Sequence, residues 1–436
     1  MATQKEEIIT TTRTVIDYDA LIKEDRVHGS IYTSPEIFEE ELEKIFHRQW
    51  VYVGHTSEIP QPGDYRVTWI GRQSVIMARD EDSEVRLLMN RCRHRATAVC
   101  QYERGNASFF RCGYHGWTYS NTGALVGVPQ PGGYDESFRK EDYGLTRVPR
   151  VSDYRGFIFA SLSPTGITLD EHLGKAKSRI DIMVDASPVG EIEVRAGVHK
   201  GNFKGNWKFV GMDGYHPHVL HRSVVEQMKK KTGRGISDTH RGDPFSDSSG
   251  NLTRDLGNGH VMLDLVSSRK SEAEGFIASL SKKPGGAEYI ELMEKSYGKE
   301  RALELITWAG DPHIGVFPNL QLIGVQIRTI RPIKVDETEV FMYPALLKGA
   351  PPEINAMRLR QHESFYGPAG HGSPDDNEIF ERNQIGLSAQ VDPWVLLSRG
   401  LNRERRDEDG TLIASISDEV TQRGQMRQYK KWMSQA

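Results

Sequence analysis

Two short stretches of sequence decide how this chain is interpreted: Cys92-Arg93-His94 and, after seventeen intervening residues, Cys112-Gly-Tyr-His115. Each stretch supplies one cysteine and one histidine, whose thiolate and imidazole groups bind transition metals. Two Cys-His pairs on two separate loops predict one metal site shared by both loops. The predicted ligands are Cys92, His94, Cys112 and His115.

The pairing of unlike ligands separates two kinds of metal. Structural zinc also suits a Cys2His2 set, but zinc modules usually draw like residues from each pair, as C-x2-4-C and H-x3-5-H. In a Rieske [2Fe–2S] cluster, two thiolates hold one iron and two imidazoles hold the other, which raises the reduction potential. One Cys and one His from each loop suits this cluster better than zinc. The sequence therefore predicts a protein that transfers electrons.

The residues after the second pair resemble a known family. The run from Cys112 to Leu125 is similar to the second cluster loop of Rieske ring-hydroxylating oxygenases, whose large subunits carry C-P-Y-H-G-W-x-Y-x-x-x-G-x-L. Gly113 stands where Pro is common, which leaves the ligands intact. The resemblance extends from Trp50 to the C-terminal helix.

Composition excludes several other classes of protein. Lys and Arg total 56 and Asp and Glu total 60 in 436 residues, a net charge of −4, so a nucleic-acid partner is not expected. No apolar run approaches the ~20 residues needed to span a bilayer, and the N-terminus lacks the core of a signal peptide. Only three cysteines occur, which leaves Cys100 as a packed thiol and predicts a reducing cytoplasm.

The pattern predicts an α+β protein in three parts. Residues 1–49 form an N-terminal helical segment that packs on the catalytic domain, with a helix over 34–50 capped by Ser34. Residues 50–165 form a small all-β domain with the cluster loops at hairpin ends. Residues 166–436 form a larger domain, an antiparallel sheet with helices of the helix-grip (START-like) kind.

Within the larger domain, the pattern predicts particular elements. Helices are expected over 170–185, 287–305, 353–366 and 414–433, and strands over 320–327 and 338–343. The polar stretch from His240 to Gly259 is interpreted either as a disordered surface loop or as a mobile lid over a pocket.

A second metal site is predicted in Asp213-Gly-Tyr-His216-Pro-His218-Val-Leu-His221. Two imidazoles and one carboxylate, with open positions, form the facial triad of non-haem Fe(II) oxygenases. Helix spacing alone favours His218 and His221, which are three residues apart. The family resemblance instead implies His216 and His221, because relatives show D-x-x-H-x-x-x-x-H. In relatives, an N-W-K and an E-N pair lie further upstream of the Asp; here Trp207 is only six residues away and the E-N pair is missing.

The third ligand is implied by resemblance in the run Gly367 to Phe380, where the family has an Asp-Asp pair before a Glu. The second acid, Asp376, is the implied ligand, and Asp375 is the fallback and a potential helix N-cap. The Ser-Pro-Asp-Asp-x-Glu-x-Phe form of this run is similar to the benzoate, cumate and salicylate branch, whose substrates are aromatic acids. An acid needs a buried cation, for which Arg222 and Arg241 are candidates.

The resemblance also implies partners. Asp213 is expected to link a cluster histidine, His115, to an iron histidine, His216, of a neighbouring subunit, which requires a homotrimer. A small beta subunit, giving α3β3, is usual in this branch. A reductase or ferredoxin supplies electrons from NADH, and the chain itself lacks a G-x-G-x-x-G motif for that cofactor.

The implied activity is O2-dependent cis-dihydroxylation of an aromatic ring at the mononuclear Fe(II). A monohydroxylase or demethylase with the same metals is the second hypothesis. A plain Rieske electron carrier is the third, and it leaves the region beyond Leu169 without a role.

Overall fold

The computed structural model describes residues 15–212, 247–308, 313–370 and 372–435. Over these residues the chain forms three small β-sheets of three or four strands and then one large antiparallel sheet with helices against it, together with two separate pairs of short strands. Elements are numbered below in chain order. Among the described helices, none combines the length and the apolar character needed to cross a lipid bilayer.

Short elements begin the described chain: α1 (Tyr18–Leu21), β1 (Arg26–His28), α2 (Ser30–Thr33), α3 (Pro35–Glu41) and a π-helical turn (Leu42–Phe46). Ser34 caps α3 as predicted, because its side chain accepts a hydrogen bond from the Ile37 N–H (3.2 Å) and Pro35 follows at the first helical position. The predicted helix over 34–50 is too long. It ends at Phe46 because the chain turns into strand β2 (Val51–His55).

Small antiparallel sheets form the next part, as predicted for the β domain. Their strands are β2, β3 (Asp64–Ile70), β4 (Gln73–Arg79), β5 (Val85–Met89), β6 (Arg104–Asn106), β7 (Phe109–Arg111), β8 (Thr118–Ser120), β9 (Leu125–Gly127), β10 (Arg150–Tyr154) and β11 (Phe157–Ser161). The strand orders are β5-β4-β3-β6, β7-β8-β9 and β10-β11-β2.

The remaining described residues alternate helices and strands. The helices are α4 (Leu169–Leu173), α5 (Lys177–Asp185), α6 (Trp207–Gly211), α7 (Val266–Leu280), α8 (Gly286–Tyr297), α9 (Lys299–Trp308), α10 (Pro352–Tyr366), α11 (Ser373–Gly386) and α12 (Val420–Met433). The strands are β12 (Ile192–Glu193), β13 (His199–Phe203), β14 (Leu252–Gly257), β15 (His260–Asp264), β16 (His313–Val316), β17 (Leu320–Ile323), β18 (Gln326–Lys334), β19 (Glu337–Pro344), β20 (Leu346–Leu347), β21 (Trp394–Leu396), β22 (Arg405–Arg406) and β23 (Leu412–Ser415).

Nine of these strands pair in the order β13-β19-β18-β17-β16-β15-β14-β23-β22, and every pairing is antiparallel. Because successive side chains of a strand point to opposite faces of the sheet, the sheet contributes side chains to two hydrophobic cores. On β18, Ile330 packs in the core that contains Trp207 of α6, whereas Ile327 packs in the core that contains Tyr289 of α8. The predicted antiparallel sheet with helices is therefore confirmed.

Several predicted boundaries are wrong for local reasons. The helix over 287–305 is two helices, because Gly298 takes a left-handed conformation (φ 78°) between them. The helix predicted from Ala414 begins only at Val420, because β23 runs to Ser415. The strand over 320–327 is interrupted by a turn at Gly324 (φ 58°), which reverses the chain between β17 and β18.

The polar stretch over 240–259 is not simply a loop or a lid. Residues 252–257 form strand β14, an inner strand of the large sheet that pairs with both β15 and β23. Residues 240–246 of the polar stretch lie outside the described residues. The polar composition misled the prediction because β14 has few apolar residues to mark it as a strand.

Candidate functional site

The first cluster loop follows β5 and contains Cys92 and His94. Its backbone makes a tight turn, in which the Cys92 N–H donates to the Thr97 carbonyl (2.8 Å) and the Ala96 N–H donates to the Cys92 carbonyl (3.0 Å). This loop is not the end of a hairpin, contrary to the prediction. The strands before and after it, β5 and β6, lie at opposite edges of their sheet.

The second cluster loop joins β7 to β8, which are adjacent and antiparallel, so here the predicted hairpin is confirmed. It repeats the backbone turn of the first loop. The Cys112 N–H donates to the Trp117 carbonyl (2.8 Å) and the Gly116 N–H donates to the Cys112 carbonyl (3.0 Å). The fourth residue after each cysteine is left-handed, with φ 63° at Ala96 and 73° at Gly116.

The two loops bring the four predicted ligands together. The imidazole rings of His94 and His115 lie edge to face with their centroids 4.5 Å apart, and both cysteines are buried. Trp117 stacks on the His94 ring (centroids 5.1 Å, planes 8° apart). A pair of imidazoles thus faces outward over a pair of buried sulfurs.

This donor set fits a Rieske cluster. The Nδ1 atom of His94 is buried and has no hydrogen-bond partner, as expected for a nitrogen whose partner is a metal. Burial, followed by the neighbouring His115 and Arg95, lowers the pKa of His94, which favours the neutral imidazole that ligates metal. Two imidazoles and two cysteines on one site are the ligands that the cluster requires.

Tyr119 contacts Cys92, one of the proposed cluster ligands. Its hydroxyl oxygen accepts a hydrogen bond from the Arg93 N–H (3.0 Å) and lies 3.3 Å from the Cys92 sulfur. A ligating thiolate at Cys92 has no proton, so it would accept the Tyr119 proton in a hydrogen bond. Burial and the bond to Cys92 raise the pKa of the Tyr119 phenol, which keeps that proton in place. Hydrogen bonds to ligand sulfurs are one of the ways a protein sets cluster potential.

Cys100 is not part of this set. Burial raises the pKa of its thiol to about 12, so it is a protonated, packed side chain at neutral pH.

The second predicted site follows α6 in the sequence. Its candidate residues Asp213, His216, His218 and His221, together with Arg222 and Arg241, lie outside the described residues. The structure describes the helix that leads into them, which is only five residues long and ends before Asp213. Asn206 begins this helix: its side-chain oxygen accepts from the Lys208 N–H, and its amide donates to the Val335 carbonyl (2.8 Å).

A buried charged cluster fixes α6 from one side. Glu41 of α3 accepts hydrogen bonds from the Trp207 indole (2.7 Å), from the Lys208 ammonium and from the Tyr429 hydroxyl (2.6 Å). All four side chains are fully buried. The N-W-K sequence is therefore the point at which the N-terminal helix and the C-terminal helix α12 hold the segment before the predicted ligands.

Two buried amides cap the end of α6. The Gln321 side chain on β17 donates to the Val210 carbonyl (2.6 Å), and the Gln425 side chain on α12 donates to the Gly211 carbonyl (2.8 Å). These carbonyls are among the last in the helix, which have no intrahelical donor. The end of α6 is thereby held by a strand and a helix from distant parts of the sequence.

Asp376 lies in the first turn of α11, where a negative charge is favoured by the helix dipole. The prediction that Asp375 could cap this helix is wrong, because Gly372 is the N-cap and Ser373 and Pro374 separate it from the two acids. Asp375 presents a buried carboxylate oxygen, Oδ2, that has no hydrogen-bond partner. An orphaned buried carboxylate oxygen in this turn fits a site for a cation.

Comparisons with known proteins agree with this arrangement. Residues 49–146 match the Rieske [2Fe-2S] domain. Residues 181–435, more than half of the chain, match the ring hydroxylating alpha subunit (catalytic domain). The chain belongs to the ring-hydroxylating oxygenase alpha subunits.

Individual relatives cover most of this alpha subunit. The large subunit of 2-halobenzoate 1,2-dioxygenase from Burkholderia cepacia is 36% identical over 387 residues, which span 86% of this chain and 80% of that protein. The large subunit of anthranilate 1,2-dioxygenase from Acinetobacter baylyi is 34% identical over 395 residues (87% and 81%). A naphthalene 1,2-dioxygenase variant bound to phenanthrene superimposes with a TM-score of 0.81 at 27% identity over 96% of both chains.

These matches confirm the family, the fold class and the enzyme class predicted from the sequence. The alpha subunit is an oxidoreductase with a Rieske cluster in its β domain and a mononuclear iron in its catalytic domain. The electron-carrier hypothesis is wrong, because the region beyond Leu169 is that catalytic domain.

Sequence reasoning missed the residues that hold α6 in place. Glu41 ends a run of three glutamates, Gln425 lies among other polar residues of α12, and Gln321 lies between two leucines, so no pattern singles out any of them. Tyr119 was visible, because it lies in the Cys112 motif, but nothing in the motif states which cysteine it contacts.

Proposed function

We propose that this alpha subunit is the terminal oxygenase of a system that dihydroxylates the ring of an aromatic carboxylic acid. The observation that supports the acid is a difference in identity among relatives. Those named for 2-halobenzoate, anthranilate and toluate are 34–36% identical, whereas those named for benzene and biphenyl are 28–29% identical.

For the cluster, we propose Cys92 and Cys112 as the ligands of one iron and His94 and His115 as the ligands of the other. The proposal is supported by the two matched loop turns, by the 4.5 Å approach of the imidazole rings and by the unpartnered Nδ1 of His94. Both cysteines are buried and both histidines are half-buried, so a cluster held by these four residues would exchange electrons with its partners through the more exposed imidazole ligands.

For the mononuclear iron, we propose His216, His221 and Asp376 as the facial triad, with Asp375 as the alternative carboxylate. Bound there, the iron supplies O2 activation and the cluster supplies electrons. The protein contributes by positioning the elements that carry or precede the proposed ligands. The Gln321 and Gln425 side chains hold the end of α6, and the first turn of α11 carries both carboxylates.

Asp213 is proposed as the residue between the two sites. A carboxylate that accepts N–H bonds from His115 of one subunit and His216 of its neighbour fixes the tautomer of both imidazoles. This role requires a homotrimer. We also propose a small beta subunit as a further component. A reductase or ferredoxin supplies the electrons, which come from NADH. A reducing, cytoplasmic location is proposed because three cysteines leave no disulfide framework.

The reaction is tested with 18O2. The purified alpha subunit, with any beta subunit and a surrogate reductase, is supplied with benzoate, 2-aminobenzoate and 3-methylbenzoate, and the products are analysed by mass spectrometry. The proposal expects a diol that carries two labelled oxygen atoms. A product with one labelled atom would instead support the monooxygenase hypothesis; an N,N-dimethyl phenylurea N-demethylase subunit is 29% identical to this chain.

The bridging role is tested with Asp213→Ala. The variant should retain the visible absorption of the reduced and oxidised cluster and lose turnover, because the cluster ligands are untouched. Near-normal turnover would contradict the role of Asp213.

A further inference from the structure

Arg328 is a buried cation in the middle of the large sheet. It lies on β18, opposite Gln321 of β17 on one side and Met342 of β19 on the other, and only 7% of its surface is exposed. Burying a guanidinium is unfavourable unless a carboxylate or several good acceptors compensate it.

The partners of Arg328 are neutral and distant. Its Nε donates to Gln326 (3.2 Å), Nη1 to Gln321 (3.4 Å) and Nη2 to Ser373 (3.4 Å). These distances lie at or beyond the long end of the usual range for N–H···O bonds. No ion pair joins Arg328 to a carboxylate anywhere in residues 15–212, 247–308, 313–370 and 372–435.

Gln326 adds a second unmet donor beside it. Its side chain is fully buried, and its Nε2 has no hydrogen-bond partner. Its Oε1 is the acceptor of the Arg328 Nε bond, so the amide orientation is fixed and the free donor is the NH2 group. Side chains two residues apart on a strand lie on the same face, so these donors converge. A buried guanidinium beside a buried free N–H group is a site for an anion.

The position of Arg328 connects this site to the catalytic residues. Gln321, its neighbour on β17, caps the Val210 carbonyl at the end of α6, just before the segment with His216 and His221. Ser373, its neighbour on the other side, begins α11, whose first turn carries Asp376. The side chains that contact the guanidinium therefore also contact the end of α6 and begin α11.

We propose that Arg328 and Gln326 bind the carboxylate of the aromatic acid and so select acids over neutral rings. This inference rests on the proposed function and names the residues that recognise its substrate. A carboxylate can take two parallel N–H bonds from a guanidinium, and its remaining lone pairs can accept from the Gln326 amide. A neutral ring leaves these buried donors unmatched, which is how a polar site rejects an isostere.

Arg331 shows that the arrangement is particular to Arg328. It lies three residues further along the same strand, so it points to the opposite face, where it pairs with Glu339 (2.6 Å) and stacks on Trp69. Its charge is already matched by a carboxylate. Arg331→Gln is therefore a matched control that removes a guanidinium from the same strand but not from the site.

The test compares benzoate with benzamide, its neutral amide. Arg328→Gln, Arg328→Lys and Arg331→Gln are prepared as holoenzymes, and the dissociation constants of both compounds are measured by calorimetry without turnover. Arg328→Gln should weaken benzoate binding roughly 100-fold and leave benzamide binding within about threefold, because a bond to a charged group is lost. Arg328→Lys should recover part of the loss, and Arg331→Gln should bind both compounds like the parent.

Several results would overturn the inference. Unchanged benzoate binding in Arg328→Gln is one, and an equal loss for benzoate and benzamide is another. Circular dichroism and cluster absorption show whether Arg328→Gln folds. If it does not, Gln326→Leu replaces it and should weaken benzoate binding roughly tenfold, with benzamide binding unaffected. An unchanged dissociation constant for benzoate in Gln326→Leu then overturns the inference. Binding of benzoate that depends on Arg328 without any oxygenated product would contradict the proposed function and leave the carboxylate site supported.

Discussion

The two metal regions of this alpha subunit are built in opposite ways. The cluster loops take all four proposed ligands from 24 residues and use one backbone turn twice, with identical hydrogen bonds around Cys92 and Cys112. The catalytic region takes its shape from contacts such as Glu41 with Tyr429, which are 388 residues apart. A local site is defined by a motif, whereas a global site depends on the whole fold around it.

The largest expected effect is that a substitution in the catalytic region abolishes turnover without affecting the cluster. Cys112→Ser should abolish the cluster absorption and all turnover, because a hydroxyl does not replace a thiolate as a ligand. Asp376→Ala should abolish turnover while the cluster absorption and its reduction by dithionite stay unchanged. The measurements are visible spectroscopy and iron content of both variants. Loss of the cluster in Asp376→Ala would show that the regions are not independent.

The second-largest expected effect is a loss of stability when the buried charge pair of the catalytic region is broken. Glu41→Gln leaves the Lys208 ammonium buried without a counter-ion, so the free energy of unfolding should fall by about 3–5 kcal/mol. Urea denaturation followed by tryptophan fluorescence measures this change. Mononuclear iron content should fall as well, because Lys208 lies in the helix before the ligand segment, while the cluster absorption should stay.

The matched control for this change is Glu39→Gln in the same helix. Glu39 pairs with Arg72 at the surface, where both side chains are nearly half exposed, so the loss should be at most about 1 kcal/mol. Equal losses from Glu41→Gln and Glu39→Gln would contradict the buried-charge account.

An intermediate effect concerns pH. Burial lowers the pKa of His260 to about 4 and that of His172 well below its usual value. The unfolded chain then binds protons near pH 6.5 that the folded chain does not, so stability should fall as pH drops from 6.5 towards 4. His260 alone should contribute about 2 kcal/mol of loss at pH 5.

Urea midpoints between pH 7.5 and 5 measure this loss, and His260→Gln should flatten the curve. Because both histidines lie in the catalytic region, its fluorescence should respond to acid before the cluster absorption does. Parallel curves for the parent and His260→Gln would show that His260 does not titrate on unfolding.

The smallest expected effect tests the repeated turn of the cluster loops. Ala96 is left-handed (φ 63°), a conformation that costs a residue with a Cβ roughly 1 kcal/mol, so Ala96→Gly should stabilise the loop by about that amount. Gly116→Ala should destabilise it, because its φ is 73° and a Cβ there would lie 3.0 Å from Pro129 Cγ. Thermal loss of the cluster absorption measures both, and shifts of the same sign would contradict the shared turn.

The same contrast explains how much could be predicted. The cluster ligands, the cap at Ser34 and the α+β order are predicted from signals within a few residues of each other. The structure confirms the cap and the fold class, and it brings the four proposed cluster ligands together. The break at Gly298 and the start of α12 were missed because helix propensity continues across them, while a left-handed glycine and the pairing of β23 with β14 decide the outcome.

Other parts of the site were beyond sequence reasoning for a physical reason. The contacts of Gln321 and Gln425 with the end of α6 require the sheet and α12 to be assembled first. The N-cap of α11 was assigned to Asp375 because acids are common caps, but the backbone turns at Gly372. Arg328 lies in a strand of mixed polar and apolar residues, and its role depends on neighbours that pair only across the sheet.

The central claim is that one polypeptide houses a sulfide-bridged iron pair and a separate single iron. It is tested most directly by metal and acid-labile sulfide analysis of anaerobically purified protein, combined with electron paramagnetic resonance after dithionite reduction. The account predicts about three irons and two sulfides per chain and an anisotropic Rieske signal. Zinc in place of iron, with no sulfide and no such signal, would contradict it.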